Sequence, residues 1–230
     1  MKSPLSQMFN FGGQARHRDA ATGSGLANQN LQYERLLKEK DREIDQLRHQ
    51  LNNVQSRLQE LMGTDVLTGL PNRHTFKEHL TNSLKRAMRF GYCLSIIVLD
   101  IDHLRELNLR HGHDIGDEAL TEIAGVLRSS VREVDMPARW GGEELVAVLH
   151  ETDTEGATTV AERIRRRIAM LEIKDPKNTR PIHVTATLAV ASYPGHNNDP
   201  QALLEMAFDA IADAKAKGGN RVMVASKSVG

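Results

Sequence analysis

The stretch RWGGEELVAVL at 139–149 sets two adjacent carboxylates, Glu143 and Glu144, between a Gly-Gly pair and an apolar run that reads as a buried strand. Gly141 and Gly142 suit a tight hairpin turn, because glycine takes positive φ without steric penalty. Strand alternation and the turn would together hold two charges at a hairpin tip. A second acidic pair, Asp100 and Asp102, follows another apolar run, LSIIVL at 94–99. Carboxylates gathered at a sheet edge suit a hard cation such as Mg²⁺ and its phosphate partners. Acids also follow strands simply as solvated loop starts, so residue type alone leaves catalysis and solvation both open.

The elements that must position these acids alternate along 63–230. The patterns predict a helix over 72–88, a strand over 94–100, a helix over 114–130 and a hairpin over 136–149. A helix over 155–171, a strand over 182–192, a helix over 200–217 and a last strand over 221–225 follow. In 114–130, Ile115, Ala119, Leu120, Ile123, Ala124 and Leu127 share one helical face, as do Val160, Ile164, Ile168 and Leu171 in 155–171. Helices mixed with strands and one internal hairpin predict an α/β domain, a sheet covered by helices on at least one face.

Ahead of this domain the chain changes character twice. Residues 1–30 are rich in Gly, Ser, Asn, Gln and Ala without periodicity, the composition of a disordered segment, with Met8, Phe9 and Phe11 as a small apolar cluster. Residues 31–62 carry heptads, with Leu37, Ile44, Leu51 and Leu58 at a and Tyr33, Lys40, Leu47, Val54 and Leu61 at d. At about 1.5 Å per residue this would make a coiled-coil stalk of roughly 50 Å. A lone helix would expose that seam, so a homodimer is expected; packing of the helix back onto the domain is the alternative.

Composition narrows the function classes. Aromatics make up only 4% of the 230 residues, which argues against base-stacking surfaces for single-stranded nucleic acid. Thirty basic residues balance thirty acidic ones, so no global field draws nucleic acid or an anionic membrane. Cys93 is the only cysteine, which excludes an intrachain disulfide and a thiolate metal cluster. No long apolar run suggests a membrane span or a signal peptide, and a cytoplasmic location is expected.

Four segments call for a joint explanation: DVLTGLPNR at 65–73, LDIDHLRELNLRHGHDIGD at 99–117, RWGGEEL at 139–145 and AKAKGGNR at 214–221. Neither a GxxxxGKS/T loop nor a dinucleotide GxGxxG is present. The sequence resembles the GGDEF domain of diguanylate cyclases, in the GGEEF variant with leucine in the last place, through nearly all of 64–225. The resemblance implies a nucleotidyl-cyclase-like fold with a central, mainly antiparallel sheet flanked by helices. It also implies condensation of two GTP into cyclic di-GMP, each ribose 3′-hydroxyl attacking the α-phosphorus of the facing nucleotide with loss of pyrophosphate. One domain binds one GTP, so two domains must meet, and the stalk would bring them together.

By the same resemblance, Asp100, the Ile101 carbonyl, Glu143 and Glu144 would hold two Mg²⁺ ions, with Mn²⁺ as a substitute. Glu143 is also the family's usual candidate for activating the hydroxyl, with Glu144 its catalytic neighbour, while Asp102 would support the loop. Asn108 and Asp117 would read guanine, with helix capping as the alternative for Asp117. The amides of His103 and Leu104 and the side chains of Arg105 and Lys215 would hold phosphates. His111 and His113 belong to this framework and are not expected to bind metal. RxxD at 132–135 has the spacing of the family's inhibitory product site, so Arg132 and Asp135, with Arg163, would bind cyclic di-GMP.

The pattern also departs from the family. Leu109 stands where aspartate is usual, Gly219 replaces the arginine of GRN, and Phe208, Ala212 and Ala189 break lesser consensus positions. Losing one charge-assisted phosphate contact costs about 1.5–3 kcal/mol. The enzyme would then be slow alone and rely on a regulatory protein at the stalk, or the domain would be a degenerate binder of GTP or cyclic di-GMP. A purely structural coiled-coil protein with a relict domain is the third reading.

Overall fold

In a computed structural model of the chain, residues 36–47, 62–176 and 180–226 are described. The chain divides into two units, Met1–Val54 and Gln55–Gly230. In the first, 36–47 form a helix, α1, that leaves Leu36, Leu37, Ile44 and Leu47 exposed, with Lys40 donating to Glu43 at 2.6 Å. The expected N-terminal segment 1–30 and the remaining heptad positions Tyr33, Leu51, Val54, Leu58 and Leu61 lie outside the described residues.

The second unit opens its secondary structure with α2 (Arg73–Phe90). Asn72 caps it by accepting from the Thr75 amide at 3.0 Å, and Gly91 ends it in the left-handed region at φ 73°. Then come β1 (Leu94–Ile101), α3 (Leu104–His111), α4 (His113–Ser130), β2 (Met136–Gly141) and β3 (Glu144–His150). The chain continues through α5 (Thr154–Ala169), β4 (Ala186–Tyr193), α6 (Pro200–Ala216) and β5 (Val222–Val224).

The sheet order is β2-β3-β1-β4-β5, antiparallel throughout except for the parallel β4–β5 pair that α6 connects. Strand alternation divides the core. Ile97, Leu99 and Ile101 of β1 pack with α4 and α5, while Ile96 and Val98 pack with α2 and α6. Helices therefore cover both faces, which explains why β1 is apolar almost without interruption. Truncating Leu99 to alanine in this core costs about 2–5 kcal/mol.

The register sets Asp100 opposite Glu144 on one side and Thr187 on the other. Two expectations change. α3 is an additional helix in the stretch between β1 and α4, and β4 starts at Ala186, because Ile182 instead bridges to Ile173.

Candidate functional site

At the GGEEL tip the turn falls one residue later than the glycines suggest. Gly141 pairs with Glu144, and Gly142, at φ 34°, forms the turn with Glu143. Glu143 is thus a turn residue released from strand alternation, while Glu144 begins β3 directly across from Asp100. Both carboxylates consequently lie close enough to Asp100 to repel it. Arg139 fixes this tip: its Nη1 donates to both Asp65 oxygens at 3.1 Å and its Nη2 to the Gly142 carbonyl at 2.7 Å. Asp65 also accepts from the Thr68 amide and hydroxyl at 2.8 and 2.7 Å.

Lys215, at the end of α6, donates to Asp100 at 2.5 Å and lies 4.0 Å from Glu143. Even so, Asp100 is held above the usual aspartate range, because burial outweighs Lys215 and the Asp102 charge adds to it. Burial and then Asp100 push Glu143 upward, against Lys215. Burial, Asp100 and Glu143 do the same to Glu144, opposed by Arg73 and Lys215. Three crowded carboxylates thus share too little positive charge.

A divalent cation fits this chemistry. Asp100 and Glu143 already converge on one cationic group, Lys215. Among the described residues no group of three or more His, Cys, Asp or Glu side chains forms a metal cage. An open set of one or two carboxylates suits Mg²⁺, which keeps waters and takes substrate phosphates as further ligands. Ile101 is buried at the strand end, its amide donating to the Glu143 carbonyl at 3.3 Å.

Asp102 does something else. Its carboxylate accepts from Thr185 at 2.7 Å, Thr187 at 2.6 Å and the Asn220 amide at 3.0 Å, joining β1 to β4 and to the turn after α6. Gly219 packs so closely that an added Cβ would meet its carboxylate at 3.0–3.2 Å.

Beyond β1, His103 takes a left-handed conformation at φ 57° and begins α3 with no side-chain cap. The first amides of α3, including Leu104, are therefore available to an anion at the positive end of the helix. The buried Leu104 side chain anchors this turn in the core, and Arg105 is exposed beside it. Asn108 follows one turn later, and its Oδ1 is buried without a hydrogen-bond partner. It lies against Gly116, where a Cβ would fall 1.8 Å from that oxygen, so α4 requires glycine there. Asp117, next to Gly116, is exposed; the cap position of α4 is Gly112, so Asp117 does not serve as the cap. His111 pairs with buried Asp175 at 2.9 Å, and His113 is exposed.

The RxxD turn lies at the opposite end of β3. Asp135 accepts from the Arg132 amide at 2.9 Å, from Arg132 Nε at 3.3 Å and from the His150 amide at 3.0 Å. Arg132 also donates to the His150 carbonyl at 2.9 Å and to Thr152 at 2.6 Å. Arg163 joins Arg132 and Asp135 in lining a cavity of about 510 Å³ that also includes Cys93. Arg163 itself donates to the Ser130 carbonyl at 2.6 Å, while Arg167 bonds Ser129 and Ser130 and Arg165 bonds Glu162 and Asn220.

Of the departures, Leu109 is 78% exposed and Phe208 packs on Trp140 at 5.5 Å between ring centres. Asp65 and Arg139 brace the tip without having been expected to; an acid and a guanidinium flanking glycine turns are the signal that the sequence carries for them.

Comparison with known proteins places this geometry in a family. The model of the diguanylate cyclase GGDEF domain matches residues 62–221. The response regulator PleD of Caulobacter vibrioides is 39% identical over 172 residues, covering 75% of this chain and 38% of PleD. The diguanylate cyclase DgcP of Pseudomonas aeruginosa is 39% identical over 162 residues, covering 70% of this chain and 24% of DgcP. The chain therefore spans well under half the length of these relatives. Diguanylate cyclase SiaD of Pseudomonas aeruginosa, solved with its activator SiaC, is 31% identical with a TM-score of 0.66, covering 89% of this chain and 77% of that one. No helix among the described residues is long and apolar enough to cross a membrane. With the family model matched over 62–221, across the GGEEL hairpin and the strand that ends in Asp100, the chain belongs to the GGDEF family of diguanylate cyclase domains.

Proposed function

We propose that the chain is a diguanylate cyclase, condensing two GTP into cyclic di-GMP and two pyrophosphates. The observation that carries this reading is the register pairing of Asp100 with Glu144, with Glu143 released beside them by the Gly142 turn. Asp100 and Glu143, with the Ile101 carbonyl and Glu144, would hold Mg²⁺, or Mn²⁺ in its place. When bound, the metal neutralises the triphosphate and supports charge at the α-phosphorus.

The chain's own residues do the rest. Glu143, held above the usual carboxylate range, is poised to accept the 3′-hydroxyl proton, with Glu144 beside it. The hydroxyl oxygen bonds to the α-phosphorus of the facing GTP, and the bond to pyrophosphate breaks. The His103 and Leu104 amides at the start of α3, with Arg105 and Lys215, hold phosphates. The Asn108 side-chain amide donates to the guanine O6 or N3 acceptor, and the exposed Asp117 carboxylate accepts from N1–H and the N2 amino group. Each domain holds one GTP, so the reaction needs a homodimer, for which the heptads of 31–62 provide the interface and a regulatory protein a place to act. Arg132, Asp135 and Arg163 take the product at the cavity they line and slow the enzyme.

Purified full-length chain with Mg²⁺ and GTP should release cyclic di-GMP and pyrophosphate. Folded dimer at high concentration that binds GTP but yields no product would instead leave a degenerate GTP or cyclic di-GMP binder. Uncharged Gly219 and Leu109 are the observation that favours this second reading.

A further inference from the structure

Gly219 leaves the turn after α6 without a side chain, yet the turn does not lack a cation. Arg221 folds back over it. Its Nε donates to the Gly219 carbonyl at 3.2 Å, and its Nη2 lies 3.9 Å from where a Cβ on Gly218 would stand. Both glycines have positive φ, 103° and 66°, a conformation that glycine takes without steric penalty, and a Cβ on Gly219 would meet the Asp102 carboxylate.

The turn itself is held on every side. The Gly218 amide donates to Lys215 and the Gly219 amide to Ala214, at 2.9 and 3.1 Å, closing the end of α6. The Asn220 amide donates to Asp102, and its side chain accepts from Arg165 at 2.8 Å. The Arg221 carbonyl accepts from Leu188 of β4 at 2.9 Å. Arg221 thus springs from a fixed point beside the corner that carries Asp100 and Lys215, yet no carboxylate among the described residues pairs with its guanidinium. Lys215 differs: its charge is committed to Asp100 and shared with Glu143. A triphosphate brought to this corner meets one cation already engaged and another with donors to spare.

We propose that Arg221 is a substrate-binding residue, donating from the Gly218–Gly219 turn to the phosphates of GTP; the inference rests on the cyclase reading above. A preorganised guanidinium can engage two phosphate oxygens at once, with little ordering left to lose on binding. The contribution is to binding rather than to the chemical step, since the guanidinium meets phosphate in both the ground state and the transition state.

The test compares Arg221→Gln and Arg221→Lys with the wild type and with Arg166→Gln, which removes the same charge from a side chain 72% exposed on α5. Titration calorimetry with GTP and with guanosine, turnover kinetics and thermal midpoints are measured on the full chain. Arg221→Gln should weaken GTP binding and raise KM about tenfold, leaving guanosine binding, kcat and the midpoint close to wild type. Arg221→Lys should recover part of the loss, and Arg166→Gln should match the wild type. The proposal is overturned if Arg221→Gln binds GTP like the wild type, or if GTP and guanosine affinities fall together, which marks a latch for the turn. An equal loss in Arg166→Gln overturns it too, as an effect of net charge. Wild type that binds GTP without making cyclic di-GMP defeats the cyclase reading alone, and calorimetry still decides Arg221. Wild type that binds no GTP defeats both.

Discussion

The two ends of β3 treat acids in opposite ways. At its start, Glu144 faces Asp100 with Glu143 alongside; burial holds all three above the usual carboxylate range, with Asp102 adding to it at Asp100 and Asp100 adding to it at both glutamates. At its other end, Asp135 is buried but takes hydrogen bonds from Arg132 and from the His150 amide. Asp102, two residues past Asp100, belongs to the second kind, with two hydroxyls and an amide around it. The contrast separates acids bonded by hydroxyls and amides of the fold from acids gathered around the single charge of Lys215. A carboxylate whose lone pairs are met by the protein stabilises it, whereas one crowded by its own kind gains most when positive charge arrives.

Removing charge at the crowded end should have the largest effect. Glu143→Gln and Glu144→Gln should each lower kcat on the order of a hundredfold or more, with thermal midpoints near or above wild type because repulsion is relieved. Wild-type turnover in both glutamine variants would remove the active site from this corner. Asp102→Ala should show the reverse priority. It strands two hydroxyls and an amide, and should cost about 2–3 kcal/mol of stability in denaturant titration. A variant as stable as wild type would show that the acid is not structural.

How much of this was legible beforehand follows the range of the interactions. The face of Ile115, Ala119, Leu120, Ile123, Ala124 and Leu127 is buried in α4, because a helix spaces its contacts locally and the period is written in the chain. The pairing of Asp100 with Glu144 depends on register between strands about forty residues apart, which no local pattern fixes. The Asp102 bonds to Thr185 and Thr187 span 83 and 85 residues and were equally out of reach. α3 leaves no periodic signal in the sequence because only Leu104 in it is buried, and it starts at a left-handed His103 rather than at a side-chain cap. The GG pair did announce a turn, but only pairing could tell that Gly141 would stay in the strand.

At the satisfied end, Arg132→Ala tests whether a well-bonded turn can also bind. Cyclic di-GMP in the micromolar range should slow GTP turnover by wild type, and the alanine variant should lose about tenfold or more of that product affinity while keeping its kcat. Equal product binding by calorimetry in both proteins would reduce Arg132 to a brace between Asp135, His150 and Thr152.

The smallest expected effect is a pH dependence that falls on that same end. His150 and His79 meet edge to face with ring centres 5.2 Å apart, and both have a ring nitrogen buried without a hydrogen-bond partner, His150 Nδ1 and His79 Nε2. His150 Nε2 lies 3.0 Å from the Ser83 hydroxyl. Burial holds both below the usual histidine value, with His150 and Arg86 adding to the effect on His79. For His150, Asp135 and the Val134 backbone pull the other way, against Arg86 and Arg132. A histidine whose folded pKa is depressed gives its full stability above the unfolded value of 6.5, and that stability is lost as pH falls from there through the folded value. The urea midpoint should therefore drop between pH 7.5 and pH 5.5, and His79→Leu, which removes one titrating ring and its repulsion, should shrink that drop. The same drop in wild type and variant would sink the assignment. An intact pH response would mean that proton uptake lies among the other histidines, and that the RxxD end of β3 is indifferent to it.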